Sequence, residues 1–328
     1  MRFAVETWAP EFGAATDAAG LDASDATVDV AVEVAPADWA PIGPSHGRPP
    51  YASVLFVDGV QRIDARVWVI PEAGSSQLGV CASWAAGAVH CDRSGIRAGG
   101  LANGHESRSA GPARVVAAEI RRGALCPGDG VESIATRHGT YEARAVGRSG
   151  DDPVHAALGQ ARGDLEARVA IEVAVAKPAE LVVVDGPLGD RRLIPGALGY
   201  IKAHHVAYLP PRQQSVVTAL ASGERTPLFR IGDERFRYSW YLRLPSPPIH
   251  PSAGVVRCEL PGELPLADAI VTADRATVTL PLYATRPHQD PRAPQNLHPI
   301  AGLERALRRR LGDPALLERA LRRAAASS

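Results

Sequence analysis

Apolar and polar positions change period along the chain, and the changes mark out its elements. Thr27 to Val34 alternates with period two and predicts a strand, which ends at the Pro-rich turn from Pro41 to Pro50. Ser53 to Val60 is a short apolar run and Arg62 to Ile70 alternates, so together they predict a hairpin turning through Gly59 and Gln61. Cys81 to His90, Val115 to Arg121 and Tyr141 to Val146 predict further strands. From Asp152 the period becomes helical. Val154, Leu158, Ala161, Leu165, Val169, Val173 and Ala176 recur at helical spacing, with Asp151 or Asp152 as cap, Pro153 in the first turn and Lys177-Pro178 as the stop. Leu181 to Val184 is uniformly apolar and predicts a strand buried on both faces.

Downstream, the pattern predicts a helix over 212–222 and strands around 226–231, 235–244 and 255–260. A Pro-rich passage from Pro287 to Pro299 leads into a helix over 303–311, and a last helix follows Asp313-Pro314. No internal repeat or interdomain linker interrupts this order. Hairpin strands, an amphipathic helix and then a doubly buried strand predict an α/β protein: a mixed sheet flanked by helices, with elaborations and a helical C-terminus. That order is similar to the ribonuclease H-like fold.

Composition narrows the function classes. The 328 residues carry 36 basic and 36 acidic side chains, so no global field draws the chain to nucleic acid, and any such binding must come from local patches. Cys81, Cys91, Cys126 and Cys258 lack the paired spacing of a zinc site and read as reduced thiols. No apolar run approaches the ~20 residues that cross a bilayer, and no leader pattern opens the chain, so the expectation is a cytoplasmic protein without a membrane partner. Walker A, Gly-x-Gly-x-x-Gly and Gly-x-Ser-x-Gly patterns are absent, which removes the commonest nucleotide and hydrolase readings.

Candidate chemistry centres on two apolar runs that end in Asp-Gly, at Asp58-Gly59 and Asp185-Gly186. Either alone reads as a turn signal after a strand. A carboxylate at the mouth of a buried strand is costly to desolvate, and finding it twice points to a divalent cation between them. Phosphodiester hydrolysis uses such carboxylates to hold metal ions that activate water and neutralise the leaving oxygen. A third carboxylate is expected from the helix before Asp185, with Glu166 and Glu172 as candidates: Glu172 falls inside the apolar stripe and Glu166 at its edge. Glu119 is a further possibility. Lys202, in a chain that uses Arg for nearly all its positive charge, is placed to hold a phosphate or balance the carboxylates. His204 and His205 read as structural or surface residues. Arg305, Arg308, Arg309, Arg310, Arg319, Arg322 and Arg323 suit phosphate contacts, or a solvent face salt-bridged by Glu304 and Glu318. The Gly/Ser/Arg-rich stretch 93–112 reads as a loop.

These features, taken in order, resemble the NurA family of nucleases. The resemblance is carried by Phe-Val-Asp58-Gly-Val, Leu-Glu166-Ala-Arg-Val-Ala, Leu-Val-Val-Val-Asp185-Gly-Pro-Leu, Gly199-Tyr-Ile-Lys202 and Pro294-Gln-Asn-Leu-His-Pro-Ile-Ala-Gly-Leu-Glu-Arg, and runs from about residue 50 to 312. It implies a ribonuclease H-like core at 51–312, preceded by an extension over 1–50 with one strand and followed by a C-terminal helix over 313–328. It also implies a manganese- or magnesium-dependent 5′ to 3′ exonuclease and single-strand endonuclease with a pair of metal ions. Such a protein acts in DNA end resection as a dimer docked on a HerA-type hexameric translocase. By resemblance Asp58, Glu166 and Asp185 would bind metal, with Glu172 as the alternative on the helix. Lys202, Arg305 and Arg309 would meet DNA. Family members place a late His or Asp at the start of a C-terminal helix; here Glu304 or His298 stands in that region. The contrasting expectation is a catalytically inactive docking or DNA-clamping subunit. A sugar-kinase-like phosphotransferase also uses Asp-Gly after strands, but it needs two related halves with Gly-rich loops, and only one is visible.

Overall fold

A computed structural model describes residues 6–12, 14–16, 22–44, 47–70, 75–94, 112–128, 131–233, 236–246 and 249–327. The expected loop at 93–112 therefore lies almost wholly outside the described residues. The protein is α/β, with a large mixed sheet and several helices, including a helical C-terminal part. Its contacts divide it into two compact units, one formed by residues 1–56, 90–114 and 178–301, the other by 57–89, 115–177 and 302–328.

In the first unit the strands run in the order Val28–Asp29, Phe229–Ile231, Arg237–Arg243, Val255–Pro261, Ala197–Ile201, Leu181–Asp185. All neighbours are antiparallel except the last two, which are parallel with Asp185 opposite Tyr200. Leu181 to Val184 are fully buried, as a strand covered on both faces requires. One core cluster gathers Trp39, Val216, Val217, Phe229, Ile231, Tyr241 and Val255. The strand expected from Thr27 to Val34 shrinks to Val28–Asp29. Asp29 Oδ1 accepts the Ala31 N–H at 2.8 Å and turns the chain, while the Glu33 carboxylate clasps the buried Arg225 guanidinium with two contacts of 2.8 Å. Asp274 completes that ion triad from the helix Leu266–Thr279.

In the second unit the strand order is Ser53–Val69 (from Val57 onward), Gln77–Asp92, Ala113–Pro127, Gly139–Val146, Ile134–Thr136. The helix Pro153–Ala176 forms as its period predicts. Asp152 caps it by accepting the His155 N–H at 2.9 Å, Pro153 opens it, and Lys177 closes it. The C-terminal helices His298–Arg310 and Pro314–Ala325 follow, the second capped by Asp313. Leu303 and Leu307 occupy the space over Gly87 that a side chain there would fill, at 3.0 and 3.2 Å from an added Cβ. This packs the helix that carries Glu304 against the strand Gln77–Asp92.

One expected hairpin is not formed. Ser53 to Val69 is a single strand of 17 residues, and Asp58-Gly59 lies inside it with no turn. The reason is steric and comes from residues distant in sequence: a Cβ on Gly59 would overlap Glu166 Oε1 and stand 2.9 Å from Glu166 Cγ and 3.0 Å from the Ala85 carbonyl oxygen. Gly59 is there for close approach in an extended strand. A second departure is the helix Leu266–Thr279, for which the sequence pattern gave no expectation.

Candidate functional site

Asp58 is buried, 5% exposed, in the middle of its long strand, and its Oδ1 accepts the Gly59 N–H at 2.7 Å. Glu166 is 2% exposed, seated over Gly59 where only a glycine leaves room, with Arg162 Nε 3.3 Å from its Oε1 one helical turn back. The stripe assignment on this helix is thereby reversed. Glu166 lies among the buried Leu165, Val169 and Ala170, whereas the Glu172 side chain is 62% exposed and turns to Arg168 at 3.6 Å. Helical phase in a stripe this wide separates the two glutamates poorly; the glycine gap opposite Glu166 decides between them. Glu119 is likewise engaged, with Arg121 and, at 2.9 Å, with Arg168.

The other Asp-Gly behaves differently. Asp185 is the last residue of its strand, and Gly186 takes φ 96°, a conformation that favours glycine. The Gly186 N–H returns to the Tyr200 carbonyl at 2.8 Å. Gly199 permits this turn to lie close: a Cβ there would stand 2.9 Å from the Leu188 nitrogen and 3.2 Å from the Gly186 carbonyl oxygen. The loop is then fixed by Glu259, fully buried, which accepts the Leu188 N–H at 3.0 Å and pairs with Arg237 and Arg257 at 2.7 and 2.5 Å. Burial alone would push the Glu259 carboxyl up, but Arg257, Arg237 and the Leu188 N–H together hold it below its ordinary value.

Lys202 follows the strand Ala197–Ile201 and reaches back to Asp185, with Nζ 2.6 Å from Oδ2. It also donates to Asn296 Oδ1 at 3.1 Å. His204 is structural, as expected. It is buried against the Val255 carbonyl at 3.2 Å, and burial pushes its imidazole down to about 4.

In the second unit Asp58 and Glu304 are brought together: each offers one carboxylate oxygen, and the two atoms lie within 4.8 Å of each other. The oxygen ligands of one Mg2+-sized ion are themselves at most about 4 to 5 Å apart, and an all-carboxylate donor set suits Mg2+ or Mn2+, so the residues fit such an ion. Glu166 is not part of this group. Of the late alternatives, Glu304 joins this group, while His298 is exposed at the start of its helix. Arg305 and Arg309 are exposed on the same helix as Glu304. The sequence reading did not single out Gly59 as a packing device, nor Asn296 or Glu259 as supports. A signal for Asn296 did exist in its own motif, Pro294-Gln-Asn-Leu-His-Pro.

Comparison with protein-family models gives no match, and comparison with curated proteins gives none either.

Proposed function

We propose that this protein is a divalent-metal-dependent deoxyribonuclease of the NurA kind, with a ribonuclease H-like core. The observation that carries the reading is the convergence of the buried Asp58 with Glu304, two carboxylates close enough to share one hard cation. Asp58 would hold the ion from within a strand, a rigid support, and Glu304 from the C-terminal helix, and the sequence resemblance adds Asp185 from its strand end. When bound, a divalent ion in such a site activates water near neutral pH and neutralises charge on the leaving oxygen.

The remaining roles belong to the chain. The Lys202 ammonium, held beside Asp185, is a compact cation suited to a non-bridging oxygen of the scissile phosphate. Glu166, seated over Gly59 and paired with Arg162, is a further buried carboxylate, and a role for it as metal ligand belongs to the proposal through the sequence resemblance. Arg305 and Arg309 meet the phosphate backbone outside the site. Exonuclease polarity, a single-strand endonuclease activity, self-association into a dimer and work with a HerA-type translocase belong to the proposal through the sequence resemblance alone.

The test is cleavage of end-labelled single- and double-stranded DNA with Mn2+, Mg2+ or EDTA, with and without a HerA-type translocase. Metal-dependent degradation that Asp58→Asn and Asp185→Asn both abolish is the expected result. Well-folded native protein that cleaves nothing under any of these conditions would overturn the reading in favour of a docking subunit.

A further inference from the structure

Lys202 ends a long flexible stem, yet its amine is held from two sides. Asp185 takes it at 2.6 Å and Asn296 at 3.1 Å. The amide of Asn296 has only one chemically sensible orientation there. An ammonium can only donate, so it faces Oδ1; the Asn296 Nδ2 then donates to Asp290 Oδ2 at 2.9 Å, and a carboxylate can only accept. Asn296 is fully buried and tied at its backbone as well: its N–H donates to the Arg292 carbonyl at 3.0 Å, and its carbonyl accepts the Thr285 hydroxyl at 2.7 Å. Asp290 is buried too, with Oδ1 accepting the Arg292 N–H at 2.8 Å. The result is a directed relay, Asp290 to Asn296 to Lys202 to Asp185, in which the direction of each connecting hydrogen bond is specified.

We propose that Asn296, oriented by Asp290, is a positioning residue that fixes the Lys202 ammonium at the site. The reason for an amide is that a neutral carbonyl holds the amine without competing for a metal ion. When the Asp185 carboxylate turns to a cation, Asn296 still keeps Lys202 in place to meet the phosphate. The purpose of the amine rests on the nuclease reading. The relay itself does not, and it is testable without any activity.

The sequence offers an unusual handle, because Lys177 and Lys202 are the only lysines in 328 residues. Lys177 is exposed at the end of its helix and serves as an internal reference. Trace acetylation with acetic anhydride, followed by mass spectrometry of the two lysine peptides, reads the Lys202 to Lys177 labelling ratio. The ratio is expected to be low in the native protein and to rise about tenfold in Asn296→Ala, as loss of a hydrogen bond to a charged group predicts. A smaller rise is expected in the isosteric Asp290→Asn, which loosens the amide but leaves its carbonyl. A folded Asn296→Ala protein whose ratio stays at the native value overturns the proposal. If Asn296→Ala does not fold, an unchanged ratio in Asp290→Asn does so. Failure of the native protein to cleave DNA would sink the reaction proposed above, and the labelling ratio would still decide the relay.

Discussion

Asp58-Gly59 and Asp185-Gly186 are the same dipeptide after the same kind of apolar run, and the two glycines do opposite jobs. Gly186 is chosen for backbone freedom: at φ 96° it lets the chain leave the strand and return its N–H to Tyr200. Gly59 is chosen for absence of bulk: the chain continues straight through it, and the missing side chain makes room for Glu166. The carboxylates differ accordingly. Asp185 sits at a strand end, where a loop pinned by Glu259 and a cation, Lys202, determine its pose. Asp58 sits inside a strand, where the continuous backbone fixes its direction and the Gly59 N–H meets its Oδ1. A ligand at a strand end can adjust when an ion or substrate arrives; one inside a continuous strand cannot. One motif therefore supplies a fixed carboxylate and the other an adjustable one.

The largest effect expected is also the bluntest. Asp58→Asn and Asp185→Asn each remove a charge that a hard cation needs, so Mn2+ affinity measured by calorimetry should fall by more than the ~10- to 100-fold typical of losing an outer-shell partner. The contrast sharpens when each is replaced by Glu. Asp185→Glu should retain measurable Mn2+ binding because its loop can give, whereas Asp58→Glu should retain none. Equal losses in both would break the comparison.

Next in size is Glu259→Gln, which leaves Arg257 and Arg237 without their buried countercharge and should cost about 3 kcal/mol in urea unfolding. Because the native Glu259 carboxyl is held below its ordinary value, its contribution is complete above the ordinary carboxyl range and is lost as the pH falls through that lowered native value. The variant should therefore lose part of the native protein's acid sensitivity, seen as a flatter stability profile on the acid side. An unchanged slope would show that Glu259 does not carry it.

Much of this architecture is legible in the chain, and what is not has a common cause. The helix Pro153–Ala176 can be read to its ends because period, cap and stop are all local signals. The hairpin reading at Gly59 fails because an Asp-Gly pair signals a turn only if nothing distant needs its space, and Glu166 does. The helix Leu266–Thr279 escapes because alanines dominate its buried face, Ala269, Ala273 and Ala276, and contrast weakly with its polar side. Asp58 and Asp185 stand out by type and context. Glu304 was one of two candidates at the late position, and only the packing of Leu303 and Leu307 over Gly87 turns its helix to the right phase. Asn296 and Glu259 are polar residues whose roles exist only through partners far along the chain, which no pattern of spacing displays.

Gly59→Ala tests the steric half of the comparison. Overpacking against Glu166 and the Ala85 carbonyl should cost about 2 kcal/mol, and Glu166→Ala in the same chain should recover most of it, since the carboxylate is the main obstacle. A double-mutant cycle from urea denaturation with no coupling between the two positions would remove the claim that Gly59 is the seat of Glu166.

The smallest effect tests the conformational half. Gly186→Ala should cost about 1 kcal/mol, because a side chain at positive φ is strained whatever its surroundings. Gly186→Asn should cost less, since asparagine tolerates such conformations better than alanine. At position 59 the order must reverse: space is what is lacking there, so asparagine should be worse than alanine. Four thermal or chemical melts decide the matter. If alanine and asparagine rank the same way at both positions, the two glycines are not doing different jobs, and the division into a fixed and an adjustable carboxylate loses its structural basis.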